Sequence, residues 1–211
     1  MTRIFIVDDH ALIREGIKRI ILRTDDLKIV GEASGGVELL RALRTDQLTV
    51  DVLLLDISLP GRNGIDVLKQ VKVIRPEIAV LMLSIMSEEE YAIRALKAGA
   101  SGFVRKETTP DVLVEAIRKV RSGGKYVSPA LADKLVDFML NDGPGSLHAR
   151  LSDREFQVLV MIASGKTVSG IAAELSLSVK TISNFRTRTL RKMGMSNNAQ
   201  LMHYAMENNL I

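Results

Sequence analysis

The chain has 211 residues, 46% of them hydrophobic and 26% charged, the balance of an ordinary globular protein of one or two domains. It contains no cysteine, which excludes disulfides, thiol catalysis and cysteine-ligated zinc; no basic-then-apolar leader opens it, and no run approaches the ~18 apolar residues of a membrane span, so a cytoplasmic location without membrane contact is expected. The formal charge of +4 sits wholly in the last third: from His148 onward eight Lys and Arg face four Asp and Glu, which points to an anionic partner such as nucleic acid.

Arg3 to Val7 is a short apolar run ending in Asp8-Asp9-His10, and Leu12, Ile13, Gly16, Ile17, Ile20 and Ile21 then recur at helical spacing. Leu27 to Ala33 reads as a second strand, and Val37, Leu39, Leu40 and Leu43 mark a second helix. Val52 to Leu55 is an unbroken aliphatic strand of the kind buried on both faces of a parallel sheet, followed at once by Asp56 and a loop marked by Pro60, Gly61 and Gly64. Ile65, Leu68, Val71 and Val73 give a third helix, stopped before Pro76. Ile78 to Leu83 is a fourth strand ending at Ser84; Ser87 to Glu90 is a capping box opening a helix that ends at Gly99. Gly102-Phe103-Val104 is a fifth strand followed by Arg105-Lys106, and Thr109-Pro110 starts the last helix of this series. Strands alternating with helices five times specify a doubly wound, five-stranded parallel sheet over residues 1–121.

Ser122-Gly123-Gly124 is a break, and residues 122–147 read as a linker with a short helix (Leu131, Leu135, Phe138, Met139) and a flexible tether from Asn141 to Ser146. Residues 148–211 read as a small all-α domain. Ser152 to Glu155 forms a capping box; a short helix runs from near Thr167 to Leu175; after Ser176-Leu177-Ser178 a helix of roughly 15 residues, about 22 Å long, covers Val179 to Met193. Helix, tight turn, then a helix carrying bases and small polar side chains is the helix-turn-helix plan, in which the second helix enters the major groove.

Neighbouring strands of a doubly wound sheet release their chains at one edge, so Asp8, Asp9, Asp56, Ser84 and Lys106 are expected around one crevice. Three carboxylates there repel, and a hard divalent cation such as Mg²⁺ relieves them, while the Lys106 ammonium and the Ser84 hydroxyl suit phosphate oxygens. The set fits phosphoryl transfer onto Asp56 as nucleophile. Beside the acidic pair, His10 has the chemistry of a base or phosphate carrier, but a local cap of the helix that follows is the expected role. Phe103, read by itself, fits plain core as well as a switch.

Residues 1–121 resemble the receiver domain of two-component response regulators, on the strength of Asp8-Asp9, Asp56 before Leu59-Pro60-Gly61, Ser84, and Lys106 after Phe103. The resemblance implies a flavodoxin-like fold and Asp56 as phosphoacceptor from a sensor histidine kinase. It also implies Mg²⁺ held by Asp9, Asp56 and the Ser58 backbone carbonyl with Asp8 acting through water, and Ser84 with Phe103 as a switch pair. Ser58 and Met86 flank the acceptor, and Met86 is poorly suited to position hydrolytic water, so the phosphorylated form is not expected to be unusually short-lived.

Leu151 to Glu155, Gly165-Lys166-Thr167, Ile171 to Leu175, Ser178 to Ile182 and Arg191 to Gly194 resemble the LuxR-type DNA-binding domain. By family position Ser183, Asn184 and Thr187 face base edges of double-stranded DNA, and Lys180, Thr181, Arg186, Arg188 and Arg191 face phosphates. The helix from Asn198 to Glu207, with Leu201, Met202 and Ala205, resembles the family's dimer-forming helix, although packing within one subunit fits the same residues. Two departures from the family stand out. Gly170 replaces an acidic capping residue, which predicts a looser helix start, and Phe185 replaces a common His.

Together these features predict a phosphorylation-dependent transcription regulator, homodimeric on DNA, that is not a turnover enzyme. An Asp-nucleophile phosphohydrolase is disfavoured because Ser58 occupies the position of its general acid. The remaining alternative is a DNA-binding protein whose receiver acts only as a dimerisation module without phosphorylation.

Overall fold

The computed structural model describes residues 1–45, 48–85, 88–133 and 146–211. They form two compact units, Met1–Asp133 and Lys134–Ile211. In the first, strands β1 (Thr2–Val7), β2 (Leu27–Ala33), β3 (Val52–Asp56), β4 (Ala79–Ser84) and β5 (Gly102–Arg105) alternate with helices α1 (Ala11–Ile21), α2 (Gly36–Ala42), α3 (Gly64–Ile74), α4 (Glu88–Lys97) and α5 (Pro110–Arg121). All five strands are parallel, in the order β2-β1-β3-β4-β5.

Burial explains the pattern. Val52, Leu53, Leu54 and Leu55 are all inaccessible to solvent, each side chain stabilising the fold by about 2 kcal/mol. Alternate strand residues (Ile4, Ile6, Val52, Leu54, Leu81, Leu83, Val104) pack against Ile17 and Ile21 of α1 and Leu113, Ala116, Ile117 and Val120 of α5. Not every apolar residue at helical spacing belongs to this core: Leu12, Val37 and Val73 project into solvent.

The caps differ in part from expectation. Pro110 begins α5, but the Thr109 side chain makes no cap hydrogen bond. Asn63, fully buried, caps α3 by accepting from the Ile65 amide at 2.8 Å. The Ser87 capping box, Met86, and the linker residues Leu135, Phe138, Met139 and 141–145 lie outside the described residues.

The predicted break after α5 is a turn, with Gly123 in the left-handed region (φ +87°), but the first unit continues through it. Tyr126 runs parallel beside Gly102 on the outer edge of β5. The Phe103 amide donates to the Tyr126 carbonyl at 2.9 Å and the Tyr126 amide to the Ser101 carbonyl at 3.1 Å. A Cβ on Gly102 would stand 2.6 Å from the Tyr126 carbonyl oxygen, so the close approach requires glycine. Ser128 then caps the turn after it, accepting from the Leu131 amide at 3.2 Å.

The second unit holds a 3₁₀ turn (Leu147–Arg150) and helices α6 (Asp153–Ala163), α7 (Val168–Glu174), α8 (Val179–Met193) and α9 (Asn198–Glu207). The predicted capping box at Ser152 and Glu155 forms in both directions. Among the described residues no helix is long and apolar enough to cross a membrane.

Candidate phosphoacceptor pocket and candidate nucleic-acid interface

The sheet order reverses direction between β1 and β3, so α1 and α3 leave to opposite faces and a crevice opens at the carboxyl ends of those strands. Asp8 follows β1, Asp56 ends β3, Ser84 ends β4 and Lys106 follows β5. The Lys106 ammonium stands 2.7 Å from Asp8 Oδ2 and 2.9 Å from Asp56 Oδ2, with all three side chains almost wholly buried. The other oxygens are also fixed: Asp8 Oδ1 accepts from the His10 amide at 2.9 Å and Asp56 Oδ1 from the Ser58 amide at 3.2 Å. Ser84 is buried one strand away, its carbonyl accepting from the Lys106 amide at 2.8 Å, and Phe103 is buried on β5.

One ammonium shared by two buried carboxylates is an incomplete balance. Burial drives the Asp56 carboxyl up to about 6; Lys106 opposes this and Asp8 adds to it. Burial also opposes the charge on Lys106, but Asp56 and Asp8 outweigh it and raise its pKa. Asp8 Oδ2 and Asp56 Oδ2 lie within ion-pair reach of Lys106 yet accept no well-angled hydrogen bond. Asp9 is more open, with 30% of its side chain exposed. One ligand atom each from Asp8, Asp9, His10 and Asp56 falls within 4.8 Å of the others, a predominantly hard-oxygen set suited to a divalent cation.

Several supporting residues escaped the sequence reading. Gly64 packs so tightly under the acceptor that a Cβ there would lie 2.1 Å from the Asp56 carbonyl oxygen. The Arg14 guanidinium donates to the Asp8 carbonyl at 2.6 Å. His10 holds the N-cap position of α1 but makes no side-chain cap bond; its ring instead faces the carboxylates, Nδ1 being 2.8 Å from Asp9 Oδ1. The cap expectation for His10 therefore fails for the side chain. Asn63-Gly64 ahead of an apolar helix was a legible signal of a capped start, and the place of His10 beside the acidic pair was legible too; nothing local marks Arg14.

In the second unit, α8 is capped by Ser178, which accepts from the Thr181 amide at 3.0 Å, and ends at Gly194 in the left-handed region (φ +67°). Ile182, Thr189, Leu190 and Met193 are buried, whereas Lys180, Asn184, Thr187, Arg188 and Arg191 are exposed, with Thr181, Ser183, Phe185 and Arg186 between. Thr187 donates its hydroxyl to the Ser183 carbonyl at 2.9 Å. Thr181 shares its hydroxyl with Ser178 at 2.7 Å, and the Arg186 guanidinium is held by Asn198 Oδ1 at 2.5 Å.

Thr167 caps α7, accepting from the Gly170 amide at 3.1 Å, and the reciprocal carboxylate bond of a full capping box is absent, as Gly170 implies. The expectation of a dimer-forming α9 needs correction. Leu201 and Ala205 are fully buried on the face of α9 that packs on α6, so they build the unit's own core and offer no dimer surface; Met202 is half-buried.

The response regulator receiver domain family matches residues 4–118, and the luxR family of bacterial regulatory proteins matches residues 149–205. The chain is 34% identical to the response regulator UvrY of Escherichia coli across 100% of this chain and 96% of that protein. It is also 34% identical to the response regulator GacA of Pseudomonas protegens, across 100% of this chain and 98% of the relative. Among solved structures it resembles RcsB of Salmonella enterica serovar Typhimurium bound to a promoter in the presence of the phosphomimetic BeF₃⁻, with a TM-score of 0.61 and 28% identity over 96% of this chain and 97% of that one.

Proposed function

This chain belongs to the response regulator family, with a receiver domain followed by a LuxR-type helix-turn-helix domain, and on that premise we propose that phosphorylation of Asp56 by a sensor histidine kinase controls its binding to promoter DNA. The observation that carries the reading is Lys106 seated between Asp8 and Asp56 at adjoining strand ends. In the transfer, an Asp56 oxygen forms the new P–O bond as the donor's P–N bond breaks. Lys106 neutralises charge gathering on the phosphoryl oxygens, and the Ser84 hydroxyl donates to one of them.

A divalent cation fits the pocket, since Asp56 and Asp8 each keep a buried oxygen without a well-angled hydrogen bond and Asp9 opens to solvent beside them. Asp9, Asp56 and the Ser58 carbonyl would hold Mg²⁺, with Asp8 through water; the ion supplies charge neutralisation of the transferring group. The reaction is a single transfer to the protein's own side chain, so the chain acts as a regulator and not as a turnover enzyme.

The pocket's output passes through β5. Phe103, proposed with Ser84 as the switch pair, gives its amide to Tyr126, so any shift of β5 reaches the segment that leaves the receiver. On the DNA side Ser183, Asn184 and Thr187 read base edges, while Lys180, Thr181, Arg186, Arg188 and Arg191 grip phosphates. The domain division at 1–121, 122–147 and 148–211 is best amended by extending the receiver past Tyr126. The protein works in the cytoplasm as a homodimer on two half-sites. A contact through α9 would use its outer face, where Met206 is 59% exposed.

The test is selection of DNA from a random pool with and without acetyl phosphate and Mg²⁺, alongside mass spectrometry of the protein. The expected result is one phosphoryl group on Asp56, lost in Asp56→Asn, and tighter binding to paired half-sites when it is present. Selection of the same sites with no adduct would favour a receiver serving only as a dimerisation module.

A further inference from the structure

His10 has a position that the family reading leaves without a role. Its backbone is extended (φ −86°, ψ 106°), which places the residue at the start of α1, yet its imidazole makes no bond to the helix. The ring turns to the acidic crevice: Nδ1 lies 2.8 Å from Asp9 Oδ1 and 3.4 Å from Asp8 Oδ1, and 63% of the side chain is open to solvent. Adjacent ligand atoms of an octahedral ion with bonds of about 2.1 Å stand about 3.0 Å apart. The 2.8 Å between His10 Nδ1 and Asp9 Oδ1 is close to that edge, and the Asp56 carboxylate belongs to the same 4.8 Å cluster.

Accepting the pocket as a divalent-cation site, we propose that His10 is an additional ligand which shifts its preference from Mg²⁺ toward first-row transition ions such as Mn²⁺ and Ni²⁺. The reason is donor chemistry. Mg²⁺ takes hard oxygens and keeps its waters, so an imidazole adds little to its affinity; for Ni²⁺ a neutral ring nitrogen is a strong ligand, and for Mn²⁺ a moderate one. The neighbouring Asp8 carboxylate has no exposed side-chain surface; its Oδ1 lies 3.4 Å from the ring nitrogen while its Oδ2 is ion-paired with Lys106 at 2.7 Å.

The experiment is calorimetric titration of the full chain with Mg²⁺, Mn²⁺ and Ni²⁺ at pH 7.5, in wild type, His10→Gln and, as a control for exposed histidine, His203→Gln. Proton NMR of the Ni²⁺ form adds an independent reading through paramagnetic displacement of ring signals. The expected outcome is a Ni²⁺ to Mg²⁺ affinity ratio that falls at least about tenfold in His10→Gln, a smaller fall for Mn²⁺, and a displaced His10 ring signal. His203→Gln should keep the wild-type ratio. Equal ratios in wild type and His10→Gln, with Mg²⁺ still bound, would overturn the role of His10 while leaving the cation site standing. Failure of the wild type to bind any of the three ions would remove both.

Discussion

Each unit of the chain buries a carboxylate against a lysine, and the two pairs behave in opposite ways. In the receiver, Asp56 lies 2.9 Å from Lys106; in the helix-turn-helix domain, Glu155 lies 2.6 Å from Lys192. Burial resists both charges, yet the Glu155 carboxyl ends below its ordinary range, held there by Lys192 and the Ser152 amide, while the Asp56 carboxyl rises to about 6. Glu155 has its ammonium to itself and a reciprocal cap bond, Ser152 N–H to Oε2 at 2.8 Å. Asp56 shares its ammonium with Asp8. A buried carboxylate satisfied by a partly exposed ammonium fastens α6 to α8. An under-compensated one stores a demand for positive charge, the condition a cation- and phosphoryl-accepting site needs.

The sharpest way to break this contrast is to remove each carboxylate. Asp56→Asn should stabilise the metal-free receiver at pH 7.5, by up to about 3 kcal/mol if the full shift is realised. The sign follows from the raised pKa: between its ordinary value of 3.8 and about 6, the folded state binds the Asp56 proton more tightly than the unfolded state does, so stability is lost as pH rises through that window. The gain from Asp56→Asn should therefore vanish at pH 4 and below. Hydrogen exchange of β1 and β3 amides in both proteins measures it, and an equal gain at both pH values would break the account.

Glu155→Ala should do the reverse, costing the second unit about 2 kcal/mol by removing a cap bond and leaving Lys192 without its partner. Because the Glu155 pKa is lowered, its contribution is complete above the ordinary carboxylate value of 4.5 and fades as pH falls through the lowered one. Denaturation followed through α6 and α8 amides at pH 7.5 and pH 3 should show the penalty shrinking.

The smallest effect sharpens the structural side. Gly170→Glu supplies the missing half of the capping box at Thr167 and removes a helical glycine, for a gain of about 0.5 kcal/mol. Its new Cβ would meet Thr167 Oγ1 at 3.2 Å, which holds the gain to that modest size. A thermal unfolding comparison of the two proteins measures it.

Much of this was legible in the sequence because the signals are local. An aliphatic run followed by Asp, as at Leu55-Asp56, specifies a buried strand with a carboxylate at its tip, and Ser178 before a basic helix specifies a capped recognition helix. Leu201 and Ala205 were ambiguous because helical spacing gives a face without saying what covers it. The same holds for Leu12, which keeps the helical period of α1 and yet is 87% exposed.

The sequence by itself determined the order of strands and helices, the acids and lysine at the strand tips, and the basic helix, all encoded within a few neighbouring residues. Only the tertiary structure decided that the His10 ring faces Asp9, that Tyr126 extends β5, that α9 turns Leu201 inward, and that Asp56 is under-compensated. Each of these depends on which distant side chains share one buried volume, and backbone propensity does not carry that information.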